Sequence, residues 1–163
     1  MSTPVLRPAT ATDVEPLAEM FHRGWHDAHA GHVPDGLTQR RTLDAFRDRV
    51  TARVRDTDDT TIAEVDGTLA GFIMIAGAEV EQVYVDRSFR GSGLAATLLA
   101  EAERQVAAAG HDETWLAVVV GNARARAFYE RQGWVDQGDL AYQVTALGQT
   151  YVSPCRRYVK ALP

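Results

Sequence analysis

Two carboxylates and a glycine-rich turn carry the most readable chemistry of this sequence. Glu79 and Glu81 stand two residues apart in AEVEQVYVD. On a β-strand that spacing puts both side chains on one face unless a bulge intervenes. Like charges so close raise the proton affinity of one of them, which suits a general base near neutral pH. The same spacing also fits a plain solvated sheet face. Downstream, Arg90-Gly91-Ser92-Gly93-Leu94-Ala95 separates a strand-like run from a helix-like run. A helix N-terminus offers unpaired N–H groups and the positive end of the helix dipole, so anions bind there. Glycine lets a phosphate approach without a Cβ in the way, and Arg90 adds a formal charge. Strand, turn and helix together have the chemistry of a pyrophosphate cradle; the bland alternative is that the glycines only make the turn. No Gly-Lys-Ser/Thr follows, so it is not a P-loop, and position 96 is Ala where the dinucleotide fingerprint needs a third glycine.

Other reactive residues point less far. His22, His26, His29 and His32 fall within eleven residues at helical spacing. No cysteine or compact acidic set completes a metal site, a solvated helix face explains the run, and no metal is expected. Cys155 is the only cysteine, so no internal disulfide can form. It follows Pro154 and has no obvious histidine partner, so it is not read as a covalent nucleophile.

The elements that must position these residues follow from periodicity. Val5-Leu6 opens a strand. Residues 11–30 read as a helix with Leu17, Met20, Phe21 and Trp25 on one face, and residues 37–56 as a second helix with Leu37, Leu43, Phe46 and Val50. TTIAEVDGTLAGFIMIAGA reads as a hairpin turning at Asp66-Gly67, and AEVEQVYVD as a further strand. GLAATLLAEAERQVAAAG is a helix closed by Gly110. ETWLAVVV has the near-continuous apolar character of a buried strand. NARARAFYERQG is a short helix between Asn122 and Gly133, and WVDQGDLAYQVTAL and TYVSPCRRYVKAL end the chain as strands. Trp134, Tyr142 and Tyr158 read as core. The expected fold is a single α/β (α+β) domain over residues 1–163, with a mixed sheet of about six to seven strands flanked by about four helices.

Composition bounds the partners. The 163 residues are 45% hydrophobic and 24% charged, with a formal net charge of −5. No basic patch stands out to neutralise nucleic-acid phosphates. The start lacks the pattern of a signal peptide, and the longest apolar stretch is too short to span a bilayer, so a cytoplasmic protein without nucleic-acid or membrane partners is expected.

Taken together, two motifs resemble one family. Arg90-x-x-Gly93-x-Ala95 is similar to the Gln/Arg-x-x-Gly-x-Gly/Ala signature of the Gcn5-related N-acetyltransferases (GNAT). Asn122-x-x-Ala125-x-x-Phe128-Tyr129-x-x-x-Gly133-Trp134 looks like that family's second motif at its usual distance. The resemblance implies a GNAT-like fold and acetyl-coenzyme A as cofactor. Its pyrophosphate would lie on the backbone from Arg90 through Gly91, Ser92, Gly93 and Leu94 to Ala95. Its pantetheine arm would pair with Val83, Tyr84 and Val85 and meet Asn122. Tyr129 takes the family's general-acid position; a phenol can donate to a departing thiolate. Glu79 matches the glutamate base of the family's histone acetyltransferases, and Glu79 with Glu81 the two histidines of serotonin N-acetyltransferase. The base is therefore Glu81, Glu79 or a water relay, and the oxyanion donor a β-strand N–H such as that of Val83. The first helices, through Trp25 and His29, would line the acceptor pocket, although Trp25 also reads as a core anchor. The implied reaction is direct attack by a small-molecule primary amine. Alternatives are protein N-terminal acetylation and a non-catalytic acyl-coenzyme A binding module. Many members of the family are dimers, so a homodimer fits the resemblance.

Overall fold

The computed structural model describes residues 2–163. The chain runs β1 (Val5–Pro8), α1 (Val14–His29), α2 (Asp35–Arg40), α3 (Leu43–Asp56), β2 (Thr60–Val65), β3 (Thr68–Ala76), β4 (Glu79–Val85), α4 (Leu94–Ala108), β5 (Glu113–Val119), α5 (Ala123–Arg131), β6 (Val135–Ala146) and β7 (Gln149–Ala161). All the strands join one seven-stranded sheet in the order β1-β2-β3-β4-β5-β7-β6. Only β4 and β5 run parallel; every other neighbour pair is antiparallel. The expected mixed α/β fold is therefore present. Among the described residues, no helix is long and apolar enough to cross a membrane.

Successive residues of β3 feed opposite faces of the sheet, as the strand's period of two dictates. Phe72 and Met74 join Leu17, Phe21, Trp25, Phe46 and Val50 of α1 and α3. Ile73 and Ile75 join Leu94, Leu98, Leu99 and Val106 of α4, with Tyr129, Trp134 and Tyr158 beside them. The hairpin turns where expected: Asp66 and Gly67 have φ of 52° and 78°, the doubly left-handed pair of a type I′ turn.

One sequence expectation fails in an informative way. Residues 37–56 are not a single helix. The chain breaks at Arg41 (φ −84°, ψ 61°), and Thr42 starts α3 afresh by accepting from Ala45 N at 3.1 Å. An N-cap threonine followed by good helix formers is the local signal for that restart. The sheet thus carries five α-helices rather than about four.

The sheet also parts in its middle. β4 pairs with β3 through to Val85, and β5 pairs with β7 from Glu113 to Val119. Between β4 and β5, however, the only partner pair is Glu79 with Trp115. That junction is clamped by Ala78, whose carbonyl accepts from Trp115 N at 3.2 Å and Thr114 Oγ1 at 2.8 Å. Just beyond it a bulge skips Glu81: Ile75 faces Val80, but Met74 faces Gln82. A bulge bends and twists its strand. β4 and β5 then diverge into a cleft.

Gly71 lets β3 lie close under the diverging strand. A Cβ there would sit 2.6 Å from the Tyr84 carbonyl oxygen and 2.9 Å from Leu98 Cδ1. Because the first obstacle is backbone, Gly71→Ala is expected to cost about 1–3 kcal/mol and lower Tm by several degrees. Thermal unfolding followed by circular dichroism checks this, and an unchanged Tm refutes the close-approach account.

Candidate active site

Two cavities open along the parted strands. The smaller, of about 390 Å³, lies between the cleft and the ends of α1 and α2. The larger, of about 720 Å³, runs from the cleft to the start of α4. They meet at a shared wall of Ala28, Val83, Tyr84, Asn122, Ala125 and Tyr129. Both volumes are in the range of small-ligand sites.

The larger cavity gathers groups able to hold an anion, with Asp27 on the same wall paired to Arg87 at 2.8 Å. Gly91 and Gly93 adopt φ of 79° and 85°, where side chains are strained, and a Cβ on either would meet nothing within 4 Å. The glycines thus make a left-handed turn that faces open space. The first backbone bond into α4 comes from Thr97 N to the Gly93 carbonyl, so the N–H groups of Leu94, Ala95 and Ala96 have no helix acceptor. Leu94 turns its side chain into the core, while Ser92 Oγ donates to the Phe89 carbonyl at 2.5 Å. Arg90 lines the cavity, and burial, then Arg124, press its pKa down. Arg87, Arg124 and Arg131 line it as well. Sequence reasoning missed these three. The signal was present, because Arg124 and Arg131 lie seven apart and share one face of α5.

At the shared wall, Tyr129 is almost wholly buried, and burial alone pushes its phenol up to about 12. It packs near Phe128, Trp134 and Tyr158 with ring centroids 5.3 to 6.1 Å away. It is therefore both a core residue and a cleft residue, and it stays protonated across the physiological range. Asn122 likewise does two things. Its Oδ1 caps α5 by accepting from Ala125 N at 3.2 Å, and it borders both cavities. Val83 and Val85 lie along the open edge of β4, and the half-buried Tyr84 ring packs against Phe21 and Phe72 while bordering both cavities.

The smaller cavity holds both glutamates. The bulge does not separate them, since both line it. Their environments differ. Glu81 Oε1 accepts from Arg49 at 2.7 Å and Arg53 at 3.0 Å. Glu79 has no such partner: Tyr142 donates to its Oε2 at 2.6 Å, and burial raises its pKa above the usual carboxylate value. Tyr142 was expected in the core; it stands half-buried at the cavity wall instead, because β6 is an edge strand of the sheet. Tyr158 and Trp134 are core residues, as read.

Trp25 and His29 stack at 4.6 Å with their planes 10° apart, and both line this cavity. Trp25 is also a core anchor, 4% exposed. His29 is pinned by its Nδ1 to the Trp25 carbonyl at 2.9 Å, and burial lowers its pKa to about 4, so it is neutral at pH 7. His26 Nε2 donates to the Arg41 carbonyl at 2.6 Å. Among the described residues, no group of three or more His, Cys, Asp or Glu is arranged to hold a metal. Cys155, far from both motifs in sequence, pairs opposite Val119 and lines the same cavity; burial raises its pKa and keeps it a thiol.

Comparison with known proteins gives the same outline. The family model described as Acetyltransferase (GNAT) family matches residues 18–134. No curated protein sequence matches the chain. Solved structures resemble it end to end. A Gcn5-related N-acetyltransferase from Rhodopseudomonas palustris is 23% identical with a TM-score of 0.79, covering 99% of this chain and 98% of that one. The PaiA N-acetyltransferase of Thermoplasma acidophilum, solved with coenzyme A, is 22% identical with a TM-score of 0.66, covering 98% and 99%. A ribosomal-protein-alanine N-acetyltransferase of Brucella melitensis is 23% identical with a TM-score of 0.72, covering 97% and 99%. At such identities these likenesses concern the fold.

The Glu79–Tyr142 pair yields a direct test. The Tyr142 hydroxyl favours the carboxylate and is the strongest influence opposing burial, ahead of Arg53 and Arg49, so removing it lets burial act more fully. In Tyr142→Phe, Glu79 is expected to titrate at a higher pH than in the wild type, read by carbon NMR of its carboxyl. An unchanged midpoint means the hydrogen bond does not act on Glu79.

Proposed function

Because the chain belongs to the acetyltransferase (GNAT) family, we propose that it transfers an acetyl group from acetyl-coenzyme A to a primary amine of a small molecule, by direct attack in a ternary complex. The observation that carries this reading is the pair of cavities meeting at Tyr129 across the parted strands. The larger cavity suits a polyphosphate carrier, with free helix-start N–H groups, two left-handed glycines and four arginines on its walls. The smaller suits a compact acceptor more than an extended protein segment.

Acetyl-coenzyme A, when bound, supplies the activated thioester. Residues Arg90 to Ala95 would hold its pyrophosphate. The open edge of β4 at Val83 to Val85, with Asn122, would meet its arm. An ammonium must lose a proton before it can attack. Glu79 is the base we favour over Glu81: burial raises its proton affinity, while Glu81 is tied to two guanidiniums. Tyr129 keeps its proton and can offer it to a sulfur arriving where the cavities meet. Trp25 and the neutral His29 form a flat wall for the acceptor.

Two variants separate binding from chemistry. Arg90→Glu puts a negative charge beside the cradle and is expected to weaken coenzyme A binding tenfold or more, on the order of 1.4 kcal/mol by calorimetry. Unchanged affinity removes the cradle assignment. Tyr129→Phe is expected to lower thiol release from acetyl-coenzyme A about tenfold or more while leaving cofactor affinity nearly unchanged. Equal turnover removes Tyr129 as the acid.

A further inference from the structure

The smaller cavity contains a cation that rests on aromatic rings but has no carboxylate partner among the described residues. Arg41 stands at the break between α2 and α3 and lines this cavity with Trp25, His29 and Glu79. Its Nε is one of three buried side-chain polar atoms without a hydrogen-bond partner among the described residues. No carboxylate lies within salt-bridge distance of it, although fifteen ion pairs form elsewhere. Burial and the neighbouring Arg49 lower its pKa to about 10, so it remains charged at pH 7. Arg41 is half-buried, but its Nε is shut away from water without an acceptor, and such an under-satisfied donor calls for a partner.

Its place is well held. The Arg41 N–H donates to the carbonyls of Leu37 and Thr38, and its own carbonyl accepts from His26. The guanidinium carbon lies 5.6 Å from the Trp25 ring centre and 6.0 Å from that of Phe46. Arg49 and Arg53 share Glu81, while Glu79 has a phenol donor and no cation. Three guanidiniums thus stand against two carboxylates, and Arg41 is the one that no carboxylate touches.

We propose that the acceptor amine also carries a carboxylate, and that Arg41 binds it: the substrate class is a small amino acid or a similarly compact amino-carboxylate. This rests on the reading of the cleft as a transferase site. The planar fork of arginine fits a carboxylate with two parallel hydrogen bonds. One guanidinium balances one carboxylate. A phosphate monoester, at about −1.5 to −2, would bring a surplus of negative charge beside Glu79. A polyamine would bring positive charge against Arg41 with nothing to offset it. Glu79 stands on the same wall, so amine and carboxylate can be engaged from two sides.

The test uses the full chain with coenzyme A and a matched panel: free amino acids, their carboxamides, their decarboxylated amines, and O-phosphoethanolamine. Binding is measured by calorimetry and acetyl transfer by thiol release. Amino acids are expected to bind at least about tenfold more tightly than their amides, the worth of one charged hydrogen-bonded contact. Arg41→Gln is expected to bring that ratio close to one. Arg41→Lys, which keeps the charge but loses the fork, is expected to fall between, and it reads the same ratio should Arg41→Gln melt early. The assignment is overturned if amides, plain amines or the phosphate bind as well as the acids, if the ratio survives in Arg41→Gln, or if no acid binds. Acid binding without thiol release leaves Arg41 standing and sinks the transferase reading. Thiol release to amides and plain amines alone does the reverse.

Discussion

A single backbone pairing, Glu79 with Trp115, is where β4 and β5 meet and the last point at which they agree. Each strand is paired along its outer side, β4 to β3 on both sides of the Glu81 bulge and β5 to β7 throughout. Their facing edges therefore present N–H and C=O groups in the middle of a sheet, where such groups ordinarily find a strand. The bulge at Glu81 aims β4 away, and the Ala78 clamp keeps the strands joined at the base. Every feature of the site follows from this opening. The two cavities open from it, and Tyr129 and Asn122 line both.

The distribution of charge is the second constraint. Like-charged carboxylates on one strand face would repel if both were free. The fold resolves this by assigning two arginines of α3 to Glu81 and a phenol of β6 to Glu79. The two carboxylates thereby become unlike: one is held by two guanidiniums, the other is a half-buried group with raised proton affinity. The same division leaves Arg41 as the cation without a counterpart. A surface that looks acidic from AEVEQVYVD alone is, with its neighbours in place, nearer to neutral and locally positive.

How much of this was legible in the sequence depends on range. The turn at Gly91 and Gly93, the cap at Asn122 and the hairpin at Asp66-Gly67 are local, and each was readable because glycine or a capping side chain is required by the backbone itself. The two-residue spacing of Glu79 and Glu81 put both on one face of β4, and both line the smaller cavity. What stayed hidden were meetings between distant segments. Tyr142 was read as core because nothing near it announces Glu79, sixty-three residues away. Arg49 and Arg53 of α3 carry no local sign that they meet Glu81 of β4. Cys155 reached the cavity only through its register with Val119.

The break at Arg41 belongs to both kinds. Its local cause, a capping threonine at position 42, was present in the sequence but outweighed by the apolar period running through residues 37–56. Its consequence is long-range. In an unbroken helix, residue 41 would continue the regular spiral of side chains from Leu37. With the chain reset at Thr42, the backbone of Arg41 is tied to α2 and to His26, and its guanidinium turns toward Trp25 and the cavity. The helix ending that periodicity conceals is thus what brings an unpaired charge to the acceptor side. A lost turn of helix costs little there, because Thr42 recovers one of the unpaired N–H groups at the new N-terminus.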